Sequence, residues 1–242
     1  MKKDQNSEFS MIFDMDGVIV DNRRYHFKAW KIFAQNHGLK LTEKYFKSHL
    51  FGRTNRVILS RLFQMELAPE EVRCFGEEKE SIYRDVSKKY IQSAKGLVKL
   101  LKALRKNGIT LAVATSAPRV NLDFVLEGTG LGPFFQVLMD VTSVTKGKPD
   151  PEIYLKAAAL LGRPPERCIA VEDSLPGVEA ALAAGMKVIG VTTTYTKEEL
   201  SEAHLVIRNF EGLTLKKLRE LLWKMADSKE MKRIEQLNKA TS

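Results

Sequence analysis

The apolar residues of this 242-residue chain change their spacing twice, and this limits the possible folds more than any other feature. A short apolar run, Met11–Phe13, is followed from Tyr25 to about Tyr90 by apolar residues at helical spacing. From Gly96 onward, short apolar runs alternate with helical segments. Strands that alternate with helices in this way predict a parallel sheet covered on both faces. We therefore expect an α/β protein with a three-layer, Rossmann-like core and a helical cap inserted after the first strand.

The joints between the two parts lie near Val20–Asn22 and Ser93–Gly96. Residues 1–21 and 95–242 are predicted to form a discontinuous core, and residues 22–94 the cap. Core helices are expected around Leu97–Lys106, Val120–Glu127, Ile153–Leu161 and Pro176–Ala184. Core strands after the first are expected at Ile109–Ala114, Phe135–Met139, Cys168–Val171, Lys187–Val191 and His204–Ile207.

The composition is that of an ordinary globular protein, with 44% hydrophobic and 29% charged residues. No apolar stretch approaches the ~20 residues that a membrane-spanning helix needs, and the first ten residues lack the apolar segment of a signal peptide. Cys74 and Cys168 lie far apart in no metal-binding spacing, which indicates free thiols in a reducing cytoplasm, with a disulfide as the alternative. We expect a cytoplasmic monomer that binds no membrane.

The net charge of +9 raises the possibility of nucleic-acid binding. From Leu213 onward eight Lys/Arg residues stand against four Asp/Glu residues, so much of the excess lies in the tail. No nucleic-acid recognition motif accompanies it, which favours a solvated basic surface and no nucleic-acid partner. A positive surface also attracts a small phosphorylated substrate. The tail is predicted to form an amphipathic helix with one apolar stripe, made of Leu215, Leu218, Leu221, Leu222 and Met225.

Two carboxylates follow the first apolar run, in the sequence Asp14-Met15-Asp16-Gly17. Side chains two residues apart on a strand face the same way, so Asp14 and Asp16 would bring two like charges together. Such a pair at a buried strand end needs a cation, and Gly17 allows a sharp turn. The pattern predicts a metal site with a carboxylate to spare for chemistry. A solvated turn or a calcium loop is the alternative.

Three further polar clusters follow predicted strands, at the edge where open α/β sheets bind their ligands. Carboxylates of Asp14, Asp16, Glu172 and Asp173 suit Mg²⁺, which prefers oxygen ligands. Thr115, at the start of a helix, could bind phosphate, and the charge of Lys148 could stabilise a phosphoryl group. Each residue also has a purely structural alternative. Thr115, Ser116 or the segment Glu172-Asp173-Ser174 could cap a helix, and Lys148 could be a surface lysine.

The four motifs together resemble those of the haloacid dehalogenase superfamily of phosphotransferases. They are DMDGV (Asp14–Val18), ATS (Ala114–Ser116), GKPDPEIY (Gly147–Tyr154) and EDSLPGVEAALAAGM (Glu172–Met186). The helical insertion resembles the cap of the subgroup that contains β-phosphoglucomutase and many sugar-phosphate phosphatases. The resemblance extends from about residue 11 to residue 210.

The resemblance implies a role for each residue of these motifs. Asp14 would be the nucleophile that forms an aspartyl phosphate, and Asp16 the general acid and base. Thr115, Ser116 and Lys148 would hold the transferring phosphoryl group. Mg²⁺ would be bound by the Asp14 carboxylate, the Asp16 carbonyl oxygen and Asp173, with Glu172 assisting.

The cap residues bear on the choice between hydrolase and mutase. His26 matches a histidine of the mutase cap hinge, although an interfacial histidine on an amphipathic helix is an equal alternative. Mutases commonly carry Gly-Val-Ser-Arg in a cap loop, where this chain has Asn55 in place of the arginine. Arg53, Arg56 and Lys79 are candidates to replace that charge, or are exposed helix charges.

We therefore predict a Mg²⁺-dependent phosphatase that acts on a small phosphorylated metabolite, with a sugar phosphate as the expected class. A β-phosphoglucomutase-type phosphotransferase is the alternative enzyme. A non-catalytic phosphate-binding protein is the alternative from another class, and Asp14, Asp16, Lys148 and Asp173 together argue against it.

Overall fold

The structure, a computed structural model, describes residues 8–50 and 54–223. Its strands are β1 Ser10–Phe13, β2 Thr110–Ala114, β3 Val137–Met139, β4 Cys168–Glu172, β5 Lys187–Val191 and β6 Leu205–Ile207. Its α-helices are α1 Arg23–Asn36, α2 Glu43–Tyr45, α3 Asn55–Phe63, α4 Pro69–Ser87, α5 Leu97–Lys106, α6 Arg119–Thr129, α7 Glu152–Leu160, α8 Leu175–Ala183 and α9 Leu215–Trp223. A π-helical turn spans Phe46–Leu50, and 3₁₀ turns span Lys88–Tyr90, Gly132–Phe134, Val141–Ser143 and Pro165–Arg167.

The six strands form one parallel sheet in the order β3-β2-β1-β4-β5-β6. The chain runs outward from β1 to β3, and then returns to place β4 on the other side of β1. The order therefore reverses beside β1, and ligands of open α/β sheets bind at such a reversal, beyond the carboxyl ends of the strands. Residues that follow β1 and β4 lie at this point.

Alternation along β1 divides its side chains between two hydrophobic cores. Met11 and Phe13 pack on one face of the sheet with residues of α5, α6 and α9, while Ile12 packs on the other face with residues of α7 and α8. A strand that is buried on both faces reads as a continuous apolar run. The predicted three-layer α/β core is confirmed.

Between β1 and β2 the described residues form helices joined by loops, and none of them belongs to a strand of the sheet. Helices α1 and α4 pack together, and a separate apolar cluster that includes Trp30, Phe33 and Leu59 fills the space between the helices of this segment. We call the described part of residues 22–94 the cap. Its two connections to the core lie side by side, because Val20 pairs with Ser93 in an antiparallel bridge and the Ala94 amide donates to the Ile19 carbonyl (2.8 Å).

Most predicted bounds agree with the structure to within one or two residues, and α5 and β5 agree fully. Strand β3 is shorter than predicted and starts at Val137 rather than Phe135. The Phe135 amide closes the preceding turn by donating to Gly132 (3.2 Å), and its ring packs edge-on against Phe13. Phe135 thus belongs to the hydrophobic core but not to the strand, and its apolar side chain made the predicted strand too long.

Helix α9 accounts for the described part of the predicted terminal helix. Leu218 is buried in the core, and Leu215, Leu221 and Leu222 pack against the same core cluster. Met225 lies outside the described residues. Among the helices that the structure describes, none has the length and hydropathy needed to cross a membrane.

Candidate active site

Asp14 lies directly beyond β1, where its backbone amide continues the pairing with β4 by donating to the Val171 carbonyl (2.9 Å). Only 8% of Asp14 is exposed. The chain then turns at Gly17, whose φ is +77°. A Cβ atom on Gly17 would lie 1.8 Å from Asp173 Oδ2. The absence of a side chain at residue 17 therefore allows the turn after β1 to approach the carboxylate after β4.

Lys148 joins the clusters that follow β1 and β4. Its Nζ atom lies 2.6 Å from Asp14 Oδ1 and 2.6 Å from Glu172 Oε1, and it also donates to the Ala114 carbonyl (2.9 Å). Burial by itself would lower the pKa of Lys148, but Asp14 and Glu172 raise it well above its usual value. Lys148 thus stays charged beside the Asp14 carboxylate, and it is not a surface lysine.

Glu172 is fully buried and accepts hydrogen bonds from several protein donors. Tyr154 donates its hydroxyl to Oε1 (2.7 Å), alongside Lys148. Oε2 accepts from the amide of Asp173 (3.1 Å) and from the hydroxyl of Ser174 (3.0 Å). A Cβ atom on Gly177 would lie 1.9 Å from the carboxyl carbon of Glu172. Glu172 is therefore held from all sides, and in turn it holds the ammonium group of Lys148.

The carboxylates of Asp14, Glu172 and Asp173 bring one oxygen each to within 4.8 Å of one another. Burial, and then the charges of Glu172 and Asp14, raise the pKa of Asp173 well above its usual value. Burial also raises the pKa of Asp14 to about 7, although Lys148 opposes this. The cluster holds three carboxylates, two of which contact the ammonium group of Lys148, so a divalent cation would balance its remaining charge. An oxygen-only donor set of this kind fits Mg²⁺.

Thr115 and Ser116 follow β2 at the same edge. The Thr115 amide donates to the Met139 carbonyl (3.0 Å), and Thr115 Oγ1 accepts from the Ala117 amide (3.1 Å). These two amides are thus used within the protein, while the hydroxyl proton of the buried Thr115 can still be donated to a phosphate oxygen. Ser116 is exposed. Helix α6 starts at Arg119, so neither residue is its N-cap.

Asp16 lies on the cap side of the site and is half-buried. Asn22 donates to its Oδ1 atom (2.5 Å) and also to the Tyr83 hydroxyl (2.6 Å). His26 Nε2 lies 3.6 Å from the same Oδ1 atom, and the His26 ring stacks on Tyr83 with 3.9 Å between centroids. Burial by itself would raise the pKa of Asp16, but His26 and Asn22 lower it.

Lys79 of α4 donates to His26 Nδ1 (2.9 Å). It is buried, lies 2.8 Å from Glu80 Oε1 and sits above the Trp30 ring at 5.2 Å. His26 and Lys79, both predicted as cap residues of the site, therefore contact each other. Through His26 they face Asp16.

The other predicted cap residues differ in position. Asn55 at the start of α3 donates to Glu80 Oε1 (3.1 Å), so its amide is engaged inside the cap. The Arg56 side chain is 70% exposed, and its guanidinium group lies 3.7 Å from Glu66 Oε2. Arg53 lies outside the described residues.

Several residues of the site network are absent from the prediction. Tyr154 belongs to a quoted motif, and its position six residues after Lys148 was the available signal. Asn22 lies in a predicted joint and Glu80 follows Lys79, which gave weaker signals. Asn121 of α6 and Thr194, whose hydroxyl donates to Asp173 Oδ2, carry no sequence signal, because their partners are far away in the chain.

The arrangement of Asp14, Lys148 and Asp173 at the reversal of strand order agrees with the sequence motifs. A family model described as "Haloacid dehalogenase-like hydrolase" matches residues 11–191. The chain belongs to the haloacid dehalogenase-like hydrolases. The predicted resemblance is thereby confirmed.

Three relatives of this haloacid dehalogenase-like hydrolase carry names of phosphate-ester chemistry. Hexitol phosphatase A of Escherichia coli (strain K12) is 32% identical over 210 residues, which are 85% of this chain and 93% of that protein. β-Phosphoglucomutase of Bacillus subtilis (strain 168) is 30% identical over 220 residues, which are 87% and 94%. The chloroplastic 5-amino-6-(5-phospho-D-ribitylamino)uracil phosphatase of Arabidopsis thaliana is 30% identical over 211 residues. This last match covers 87% of this chain but only 57% of that protein, so the chain spans little more than half of that relative.

A solved structure shares the fold. The crystal structure of a HAD hydrolase of family IA, variant 3, from Entamoeba histolytica HM-1:IMSS has a TM-score of 0.84 and 32% identity. The match covers 88% of this chain and 99% of that chain. The core sheet and the helical cap of this haloacid dehalogenase-like hydrolase are therefore those of its family.

Proposed function

We propose that this chain is a Mg²⁺-dependent phosphatase that hydrolyses a small phosphorylated metabolite, most simply a sugar phosphate, through an aspartyl phosphate. The observation that carries this proposal is the buried Asp14 carboxylate, with Lys148 2.6 Å from one oxygen and two more carboxylates beside it. Relatives named as a hexitol phosphatase and a 5-amino-6-(5-phospho-D-ribitylamino)uracil phosphatase support the substrate class.

In the first step an Asp14 oxygen bonds to phosphorus and the bond from phosphorus to the ester oxygen breaks. Asp16 gives its proton to that leaving oxygen, and Lys148 and Thr115 stabilise the charge on the phosphoryl oxygens. In the second step water attacks the phosphorus of the aspartyl phosphate and transfers a proton to Asp16. Inorganic phosphate leaves and the Asp14 carboxylate is restored. Mg²⁺, held by Asp14, the Asp16 carbonyl oxygen and Asp173, would neutralise phosphate charge, while Glu172 positions Lys148.

The test is release of inorganic phosphate from a panel of sugar, polyol and nucleoside phosphates in the presence of Mg²⁺. Asp14→Asn should abolish release, because an amide oxygen is a poor nucleophile toward phosphorus. Asp85→Asn, the same change at an exposed position of α4, is the control and should keep full activity. Inactivity of the wild type on the whole panel, or full activity of Asp14→Asn, would overturn the proposal.

The β-phosphoglucomutase alternative is favoured by one observation, the contact of Lys79 with His26 beside Asp16 (2.9 Å), and by a relative of that name. Hydrolysis is favoured because a mutase must hold a second phosphate, and the described residues of this region are engaged elsewhere. Lys79 is bound to His26 and Glu80. Asn55 is neutral and bound to Glu80, and Arg56 is exposed beside Glu66. Conversion of β-glucose 1-phosphate to glucose 6-phosphate, primed by a bisphosphate, at a rate above phosphate release would select the mutase.

We also propose that residues 22–94 act as a cap that moves relative to residues 1–21 and 95–242, and that the enzyme is a cytoplasmic monomer. The adjacent connections at Val20 and Ser93 support a hinge, and the free thiols of Cys74 and Cys168 support a reducing compartment. Sedimentation of the purified chain tests the monomer, and fractionation of the source cells tests the location.

A further inference from the structure

Glu80 is a buried carboxylate at the surface between the cap and the core, and it is 7% exposed. Its Oε1 atom accepts from Lys79 Nζ (2.8 Å) and from Asn55 Nδ2 (3.1 Å), both in the cap. Its Oε2 atom accepts from Asn121 Nδ2 (2.7 Å), which belongs to core helix α6. The other end of the Asn121 amide accepts from Arg84 of the cap (2.8 Å). Glu80 is thus bound from both domains, with both of its oxygens occupied.

The contact between Lys79 and His26 determines which ring nitrogen of His26 carries the proton. An ammonium group has donors only, so Nδ1, 2.9 Å from Lys79 Nζ, has to be the unprotonated nitrogen. Nε2 then carries the proton, and it lies 3.6 Å from Asp16 Oδ1 and 3.4 Å from Nδ2 of Asn22, which itself donates to Asp16. A histidine ring is commonly oriented in this way by the partner of its other nitrogen. The position of Lys79 therefore determines whether the His26 nitrogen that faces Asp16 carries a proton.

Resting on the phosphatase proposed above, we propose that Glu80 and Asn121 are positioning residues for the proton transfer by Asp16. Glu80 holds Lys79 against His26, and Asn121 holds Glu80 only while the cap is docked on α6. The chain of contacts from Asn121 through Glu80, Lys79 and His26 to Asp16 is complete only in the docked state. The general acid is thereby made ready when the cap excludes water from the site.

The physical reason lies in the cost of a buried charge. If the cap separates from α6, Glu80 loses the Asn121 donor and gains water, which competes for Lys79. Lys79 is then no longer restricted to one position over the Trp30 ring, and His26 is free to exchange its tautomer. Neither Glu80 nor Asn121 contacts Asp16, so each positions it through His26. The charge of Glu80 in addition favours the protonated form of Asp16 by repulsion between the two carboxylates.

The kinetic test compares two leaving groups in Glu80→Gln and Asn121→Leu. An alkyl phosphate such as glucose 6-phosphate needs a proton on its leaving oxygen, whereas 4-nitrophenyl phosphate has a leaving group that departs well as the anion. We expect kcat for the alkyl phosphate to fall about tenfold or more and kcat for 4-nitrophenyl phosphate to fall less than about threefold, since general acid catalysis contributes roughly 10²–10⁴. Equal losses for both substrates, or no loss, would overturn the proposal.

Glu77→Gln is the matched control, because it makes the same change three residues earlier on α4 at an exposed side chain that pairs with Arg73. It should leave both substrates unaffected. The double variant Glu80→Gln/Asn121→Leu should lose little more alkyl phosphate activity than Glu80→Gln alone, because the two residues act through one contact. Additive losses in the double variant would contradict the proposed coupling.

A second readout needs no turnover. Nitrogen NMR of ¹⁵N-histidine-labelled protein, with His26 assigned through His26→Gln, should show an unprotonated Nδ1 in the wild type. In Glu80→Gln and Asn121→Leu it should show a mixture of the two tautomers. If the tautomer of His26 is unchanged in both variants, the proposal fails whatever the kinetics. If the wild type hydrolyses no phosphate but the tautomer responds, the phosphatase proposal fails and the positioning of His26 by Glu80 stands.

Discussion

The three aspartates at the sheet edge differ in the residues that hold them. Asp14 faces Lys148 (2.6 Å), Asp16 is bound by Asn22 (2.5 Å), and Asp173 accepts from the Thr194 hydroxyl. A cation partner, an amide partner and a hydroxyl partner give the three side chains different proton affinities. This difference supports separate roles in nucleophilic attack, proton transfer and metal binding.

A prediction follows for Gly17, whose missing side chain makes room for Asp173. Gly17→Ala should weaken Mg²⁺ binding about tenfold or more, because the new Cβ would lie 1.8 Å from Asp173 Oδ2 and would displace it. Isothermal titration with MgCl₂ measures this. Gly108→Ala is the control, since Gly108 also has positive φ (+69°) but no atom within 4 Å of a new Cβ. Both variants lose about 1–2 kcal/mol of stability to backbone strain, and equal Mg²⁺ affinity in the two would contradict the prediction.

Helix α8 connects the stability of an element to the site. Its N-cap Ser174 accepts from the Gly177 amide (3.1 Å) and donates to Glu172 (3.0 Å). The same side chain therefore starts the helix and helps to hold the carboxylate that positions Lys148. Helix capping was the alternative hypothesis for the Glu172-Asp173-Ser174 segment, and it is confirmed for Ser174, which is the N-cap of α8.

Ser174→Ala should lower the free energy of unfolding by about 2 kcal/mol, the upper part of the range for a lost N-cap, because a buried acceptor also loses its donor. Urea unfolding followed by circular dichroism measures this. Thr214→Ala is the control, since exposed Thr214 caps α9 with a longer bond to Lys217 (3.3 Å), and it should lose about 1 kcal/mol or less. Equal losses in the two variants would argue against the link to Glu172.

For the whole molecule, the excess negative charge of the site couples metal binding to folding. If Asp14 and Asp173 hold Mg²⁺ only in the folded state, Mg²⁺ at a hundred times its Kd should stabilise the protein by about 2.7 kcal/mol. Thermal unfolding with MgCl₂ and with EDTA measures the difference. Asp173→Asn should abolish this difference and Asp85→Asn should keep it. A Tm that does not respond to Mg²⁺ in the wild type would contradict a metal site at this cluster.

The stability that Glu80 contributes by joining the cap to the core should depend on pH. Burial by itself would raise the pKa of Glu80, but the neighbouring charge of Lys79 is the main influence that lowers it to about 2 from the usual 4.5. Its contribution to stability is therefore complete above about pH 4.5 and is lost as the pH falls toward 2. We expect the stability difference between the wild type and Glu80→Gln to shrink by about 1 kcal/mol from pH 6 to pH 3.5. Urea unfolding at both pH values measures this, and a constant difference would refute it; Glu77→Gln is the control.

The sequence by itself determined the α/β core, the inserted helices and the grouping of the four motifs at one edge of the sheet. These follow from local rules, since the spacing of apolar residues predicts strands and helices, and parallel strands place their carboxyl ends together. The start of β3 lies two residues later than predicted, because Phe135 is an apolar residue that packs in the hydrophobic core without belonging to the strand.

Only the tertiary structure decided which partner each functional side chain has. Tyr154 binds Glu172 across 18 positions, Asn22 binds Tyr83 across 61 and Asn121 binds Glu80 across 41. Such contacts form because a buried polar group needs a partner, and the partner is whichever donor the packing of distant elements brings within reach. Sequence patterns report the local conformation of each element, whereas these bonds depend on how the cap rests on the core.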